Sequence, residues 1–205
     1  MLSTSPNSPA IDPPTELAVL KGQLEQLEQV KAAYQAHQEL LTSSMFLVRT
    51  ATHNMLLKAT LQKILQVANQ LAKAETGSLF LLDKSGVFLE SILARGAMVQ
   101  EMKQSLIGKV LDQGLAGWVY RNHKIGLVED ALHDERWLKL PGQPYDVRSA
   151  LALPLRQGKY IIGIITLMHS EPNYFDEKSV SLLKMNLETI ALIIENAQIH
   201  VRRMQ

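Results

Sequence analysis

The chain of 205 residues contains no cysteine. That absence excludes thiol catalysis, disulfides, thiolate metal sites and any cofactor held through a thioether. It also fits a reducing compartment. An excess of one charge is missing as well: 21 Lys and Arg stand against 20 Asp and Glu, a net charge of +1. Phosphate backbones demand a strong basic excess, so nucleic acid is not an expected partner, and no polybasic membrane anchor is present. Long hydrophobic runs are lacking too. The longest, "YIIGIITLM" at 160–168, falls far short of the roughly 18 residues that cross a bilayer. The opening MLSTSPNSPAIDPPTE has no positive charge before an apolar stretch and does not read as a signal peptide. The expectation is a cytoplasmic protein without a membrane partner.

Catalytic signatures are equally scarce. Glu129/His133 and Asp130/Asp134 are spaced by four, but no His-Glu-x-x-His arrangement supports a metal there. Ser149 follows Arg148 without a Gly-x-Ser-x-Gly elbow. Gly108-Lys109 and Gly114-Leu115-Ala116-Gly117 do not follow P-loop order, and the two glycines at 114 and 117 suit close packing of a helix start. The expected chain is therefore not an enzyme and holds no metal.

What is present is a globular balance, 46% apolar and 20% charged, enough for one ordinary domain and an appendage. Residues 1–14, rich in Pro and Ser, read as a disordered tail. A heptad pattern then starts at Leu17. The a series is Leu17, Leu24, Lys31, Gln38, Met45, Thr52, Ala59; the d series is Leu20, Leu27, Tyr34, Leu41, Val48, Met55. Alternating three- and four-residue spacing over about six heptads is the mark of a supercoiled helix pair. Residues 15–55 are thus expected to be a coiled-coil dimerisation helix, and residues 56–205 the globular domain. The alternative is one long amphipathic helix packed on its own domain, for which a domain of this size offers little surface.

The stripe of Leu57, Leu61, Ile64, Leu65, Ala68 and Leu71 carries the helix onward into the core, with Gly77 as its stop. Strands "SLFLLD" and "VFLESILA" flank Lys84-Ser85-Gly86, a hairpin signal. "MVQEMKQ" and "GLAGWVYRN" read as helices and "KIGLVED" as a short strand. "RSALALPLR" and "KYIIGIITLMH" form a second hairpin through Gln157-Gly158. A final helix starts at Asp176, with Phe175 as staple and Asp176 as N-cap. Its stripe runs Leu183, Leu187, Ile190, Ile194, Ala197, Val201. The expected dimer interface comprises Leu20, Leu24, Leu27, Tyr34, Leu41, Met45 and Val48 with Leu187, Ile190 and Ile194, parallel and antiparallel arrangements both open.

From Leu56 to His200 the chain resembles a GAF domain. The resemblance rests on "ETGSLFLLD", "GLAGWV", "VEDALHDERW", "RSALALPL" and "GIITLMHSEPNYFDEKSVSLL", in the family's order. It implies an α+β, GAF/PAS-like fold: an antiparallel six-stranded sheet flanked by helices, with long N- and C-terminal helices. It also implies a regulatory module, a homodimer that signals to an output protein, with or without a small ligand between sheet and loops. Covalent bilin attachment and the thiol-dependent methionine-sulfoxide reductase branch of the family both need a cysteine. Cyclic-nucleotide binders carry Asn-Lys, then Phe, then Asp-Glu; here those slots hold His169-Ser170, Phe175 and Ser179-Val180, so only Phe175 matches. Haem could use a histidine, and His169 is the best single candidate, although a strand-end histidine is more often simply hydrogen-bonded. The residues expected near a pocket are Trp118, Asp130, Arg136, Trp137, Arg148, Thr166 and His169, an aromatic surface with a few polar groups. The competing reading packs Trp118 in the core and pairs the arginines with Asp130 or Asp134. A ligand-free scaffold that recruits another protein is the alternative function.

Overall fold

The computed structural model describes residues 13–50, 53–93, 100–139 and 146–203. Two helices open the chain, α1 (Pro13–Thr50) and α2 (His53–Ala72); strands β1 (Thr76–Leu82) and β2 (Phe88–Ile92) follow. Next come α3 (Gln100–Gln113), α4 (Leu115–Asn122), β3 (Gly126–Val128), β4 (Ser149–Gln157), β5 (Tyr160–His169) and α5 (Glu177–Arg203). The strands form one antiparallel sheet in the order β2-β1-β5-β4-β3. These are the five strands legible in the residues. The sixth, implied by the resemblance, is not found among the described residues, where the sheet has five strands. The expected disordered tail lies outside the described residues except for Pro13 and Pro14, which start α1, where a fixed φ suits the first turn. "MVQEMKQ" lies partly outside the described residues, and α3 runs well past it, to Gln113.

Strand alternation divides the core. Leu79, Leu81, Leu151, Leu153, Ile165 and Leu167 face α2 and α5, meeting Leu61, Ile64, Leu65, Leu183, Ile190 and Ile194. Phe80, Leu82, Ala150, Ala152, Ile164 and Met168 share the opposite cluster with Leu115, Ala116 and Val119 of α4. Gly117 lets α4 lie against α3: a Cβ there would collide with the Leu111 carbonyl. Arg121 donates to the carbonyls of Leu111 and Asp112 at 3.2 and 2.8 Å, closing the α3 end. Gly77 is not the helix stop. α2 ends at Ala72, Lys73 takes the left-handed conformation (φ 51°), and Gly77 lies within β1. Its missing side chain leaves room there for Asn69 and the Thr166 carbonyl. Asp176 caps α5 as expected, its Oδ1 accepting the Ser179 N–H at 2.8 Å.

The first helix does not run on. It ends at Thr50, α2 starts at His53, and Glu39 of α1 meets Lys63 of α2 at 2.7 Å. Residues 24 apart in sequence touch only because α1 folds back antiparallel to α2. Along α5 the course is parallel. Glu25 pairs with Lys178 at 2.8 Å, the Ala33 carbonyl accepts from Asn186 at 3.3 Å, and His37 bonds Thr189 at 2.9 Å. Ala33, Ala36 and Leu40 are buried on that inner face. The helix therefore packs on its own domain, the alternative that its length argued against. The heptad residues point the other way, with Leu20, Leu24, Leu27, Tyr34, Leu41 and Met45 all exposed. Val48 is half-buried. Ile190 and Ile194, at 2% and 0% exposure, lie in the chain's own core, which takes them off any outer face; Leu187 is partly buried against the same cluster.

Candidate functional site

The acidic stretch after β3 folds into consecutive turns at the sheet edge. Asp130 accepts two bonds from Arg148, at 2.9 and 2.9 Å, and a third from the Leu132 N–H at 3.1 Å. His133 Nδ1 lies 3.0 Å from Asp130 Oδ2. The bidentate guanidinium of Arg148 holds the Asp130 carboxyl far below the usual carboxylate range. Asp134 does the same work in the next turn. It accepts Arg136 Nε at 2.9 Å, and that contact lowers its pKa against the opposing effect of burial. Arg136 also donates to the Leu127 carbonyl of β3 at 2.7 Å, and its guanidinium lies 4.9 Å from the centre of the Trp118 ring. Trp118 and Trp137 both pack against the α4-side core.

An open cleft of about 390 Å³ lies among Asp130, His133, Asp134, Arg136 and Asn173. The structure thus brings Asp130 and Arg136 together, with Arg148 and Trp118 attached as their partners and Trp137 behind. Both arginines are committed to carboxylates, as the ion-pairing reading of this stretch expected. Among the described residues no group of three His, Asp or Glu side chains is placed to hold a metal.

Thr166 and His169 do not join this group. Three residues apart on β5, they point to opposite faces of the sheet. Thr166 is 5% exposed on the α4 side, with Ser78 and Ala152 as its cross-strand partners. Its hydroxyl meets no hydrogen-bond partner. His169 stacks on Tyr174, ring centres 3.4 Å apart, and its Nδ1 accepts the Glu171 N–H at 3.1 Å. Tyr174 donates to the Lys73 carbonyl at 2.9 Å. Glu75 accepts from Ser170 at 2.6 Å and stands 3.6 Å from His169 Nε2. His169 is therefore part of a clasp between the end of α2 and the loop before α5, not of the cleft.

Two features escaped the sequence reading. One is a groove of about 700 Å³ along α5, from Lys184 to Glu195, over Ile125 and Pro154. The other is the exposed row Met185, Leu192 and Ile199 on α5. Their seven-residue spacing was legible, but the more regular stripe of Leu187, Ile190 and Ile194 masked it.

Known proteins add the following. The sequence model described as GAF domain matches residues 55–195. The GAF domain of a phosphoenolpyruvate-protein phosphotransferase from Coxiella burnetii is 19% identical at a TM-score of 0.61, over 84% of this chain and 96% of that one. The corresponding domain from Acinetobacter is 18% identical at 0.59, with the same coverage. A free methionine-R-sulfoxide reductase from Neisseria meningitidis, in complex with its substrate, is 14% identical at 0.52, over 84% of this chain and 93% of that one. At these identities the likeness speaks for the fold alone. No curated protein matches the chain. No helix among the described residues is long and apolar enough to cross a membrane.

Proposed function

The chain belongs to the GAF domain family, and on that premise we propose that it is a sensory or regulatory module of signal transduction that pairs with a second copy of itself. The observation that carries this reading is the two-faced character of α1. Its inner face is fastened to α2 and α5, while Leu20, Leu24, Leu27, Tyr34, Leu41 and Met45 stay exposed on the outer face. A helix apolar on both sides needs cover on both sides. Because α1 and α5 run parallel, Tyr34, Leu41 and Val48 come level with Met185, Leu192 and Ile199 to within about one helical turn. Two parallel rows with the same seven-residue period suit one half of a four-helix bundle. Any change in the globular part then reaches the partner through α1.

A second reading of the globular part has its own observation. The buried, unpartnered Thr166 hydroxyl, between Ser78 and Ala152, fits a small polar ligand on the α4 side of the sheet. Without such a ligand the same dimer serves as a scaffold for an output protein. The role is not catalytic in this reading. The similar reductase is named for methionine-sulfoxide chemistry, and the thiol that branch of the family uses has no counterpart in a chain without cysteine. A cytoplasmic location belongs to the proposal as well.

Light scattering over a dilution series tests the pairing: a mass of two chains is expected at high concentration. A one-chain mass throughout removes the dimer. Native mass spectrometry of the purified chain, with a thermal-shift screen, separates a ligand-binding module from a scaffold.

A further inference from the structure

α1 is longer than any helix its own chain sets beside it. α5 starts at Glu177, level with Glu25, whose carboxylate pairs with Lys178. α2 runs the other way and ends at Ala72, and the Lys63–Glu39 pair puts that end level with Val30. Ahead of Glu25, α1 extends about 18 Å as an arm with no helix alongside among the described residues. Every residue from Glu16 to Glu28 is exposed. The arm is nonetheless apolar at each a and d position: Leu17, Leu20, Leu24 and Leu27 are all more than half exposed. Such a row on a bare helix demands cover. Farther on, the row continues through Tyr34, Leu41 and Val48. The residues that fasten α1 to its own domain, Ala33 and Leu40 at c and Ala36 at f, lie on the opposite side. One outer stripe thus spans both the arm and the stretch beside α5.

We propose that two copies pair with their α1 helices parallel and in register, the arms as a two-stranded coiled coil and the stretch beside α5 as a four-helix bundle. The lengths decide this. Antiparallel pairing centred on Leu41 covers the row from Tyr34 to Val48, but each arm then runs past the partner's Thr50 and Arg203, where α1 and α5 have both ended. Antiparallel pairing centred on the arm covers its leucines and carries the Met185, Leu192 and Ile199 rows of the two copies to opposite ends. Parallel pairing in register leaves no part of the stripe bare. The flanking charges agree. With Leu17 at a, Glu16 holds g and Lys21 the following e, the two positions that meet across a parallel seam. Each Glu16 then faces the partner's Lys21, twice by symmetry. The next such pairs, Gln23 with the partner's Glu28 and Val30 with the partner's Gln35, bring no like charges together. Lys31 and Gln38, polar members of the a series, stand beside α5. Four helices meet there, the a residues of the two copies need not abut, and the Lys31 stem reaches outward to water. The proposal rests on the reading that the chain pairs with itself and adds the orientation and register of the pair.

The full chain has no native thiol, so a nitroxide on one introduced cysteine reads the distance between copies. Gln26→Cys marks the arm and Thr50→Cys the far end of α1. Both residues are exposed, which keeps folding out of the result, and heptad positions c and f point away from the seam. Pulsed electron-electron resonance is measured on each variant, with light scattering on the same samples. Parallel pairing in register puts both label pairs within about 40 Å, the width of two helices on each side plus the labels. Antiparallel pairing centred on Leu41 sets the Gln26→Cys labels at least about 45 Å apart along the axis. Antiparallel pairing centred on the arm sets the Thr50→Cys labels about 80 Å apart, with no measurable coupling. A two-chain mass with either long separation overturns the orientation and leaves the pairing standing. A one-chain mass overturns both.

Discussion

Leu24 and Leu40 are the same residue type on the same helix, with opposite surroundings. Leu24 is 57% exposed and Leu40 is 2% exposed. Leu40 packs in the cluster with Leu61, Ile64 and Ile190. Truncation of Leu40 to Ala leaves a cavity in that cluster and costs about 2–5 kcal/mol of folding stability. For a domain of this size the melting temperature drops by about 5–15 °C. Leu24→Ala leaves folding within about 0.5 kcal/mol of wild type, because nothing in its own chain covers it. Its expected cost appears in association. A partner covering rather over half of a leucine gains about 1 kcal/mol. A symmetric dimer loses that twice, so the dissociation constant weakens about thirtyfold. Sedimentation equilibrium reads the second quantity and thermal unfolding at low concentration the first. The reasoning fails if Leu24→Ala melts as early as Leu40→Ala. It fails equally if Leu24→Ala dimers dissociate at the wild-type concentration.

Three further outcomes are expected. Thr166→Val, which replaces an unpartnered buried hydroxyl with a methyl of the same shape, leaves the ligand-free protein unchanged or about 1 kcal/mol more stable by denaturant unfolding, and abolishes any thermal shift that a ligand produces. Arg148→Met removes the guanidinium that depresses the Asp130 pKa. A depressed folded-state pKa gives stability that is complete above the ordinary aspartate range and declines as pH falls through the folded value, so the variant's deficit is full at neutral pH and shrinks below about pH 4. Equal deficits at pH 7 and pH 2 in urea titrations contradict that assignment. Gly117→Ala drives a Cβ into the Leu111 carbonyl and lowers stability by about 2 kcal/mol or more, with Trp118 fluorescence reporting the displaced α4.

The sheet and its helices were legible because each strand carries its own alternation and each hairpin its own turn residues. The return of α1 was not. No Gly or Pro stands near the end of the heptad pattern to announce it. Ala33, Ala36 and Leu40 fall outside the a and d series, where two alanines look like ordinary solvated positions. Their burial depends on α5, more than 150 residues away in sequence, and no local pattern carries that information. Ile190 and Ile194 illustrate the same limit. A helix with two apolar stripes does not state which one faces its own sheet. The carboxylates after β3 were readable as pairing groups, although which arginine takes which aspartate required the turns between them. Thr166 and His169 stand an odd number of positions apart on one strand, and such positions look in opposite directions.

The parallel course of α1 beside α5 also fixes where the polypeptide comes in and goes out. Pro13 lies beyond the start of α5, and Arg203 lies near the level of Thr50, at the opposite pole. About 37 residues of helix, roughly 55 Å, separate those poles. Anything tethered ahead of Pro13 and anything tethered behind Arg203 is held apart by the full length of the molecule, in line rather than side by side. A dye on each pole turns that span into a ruler.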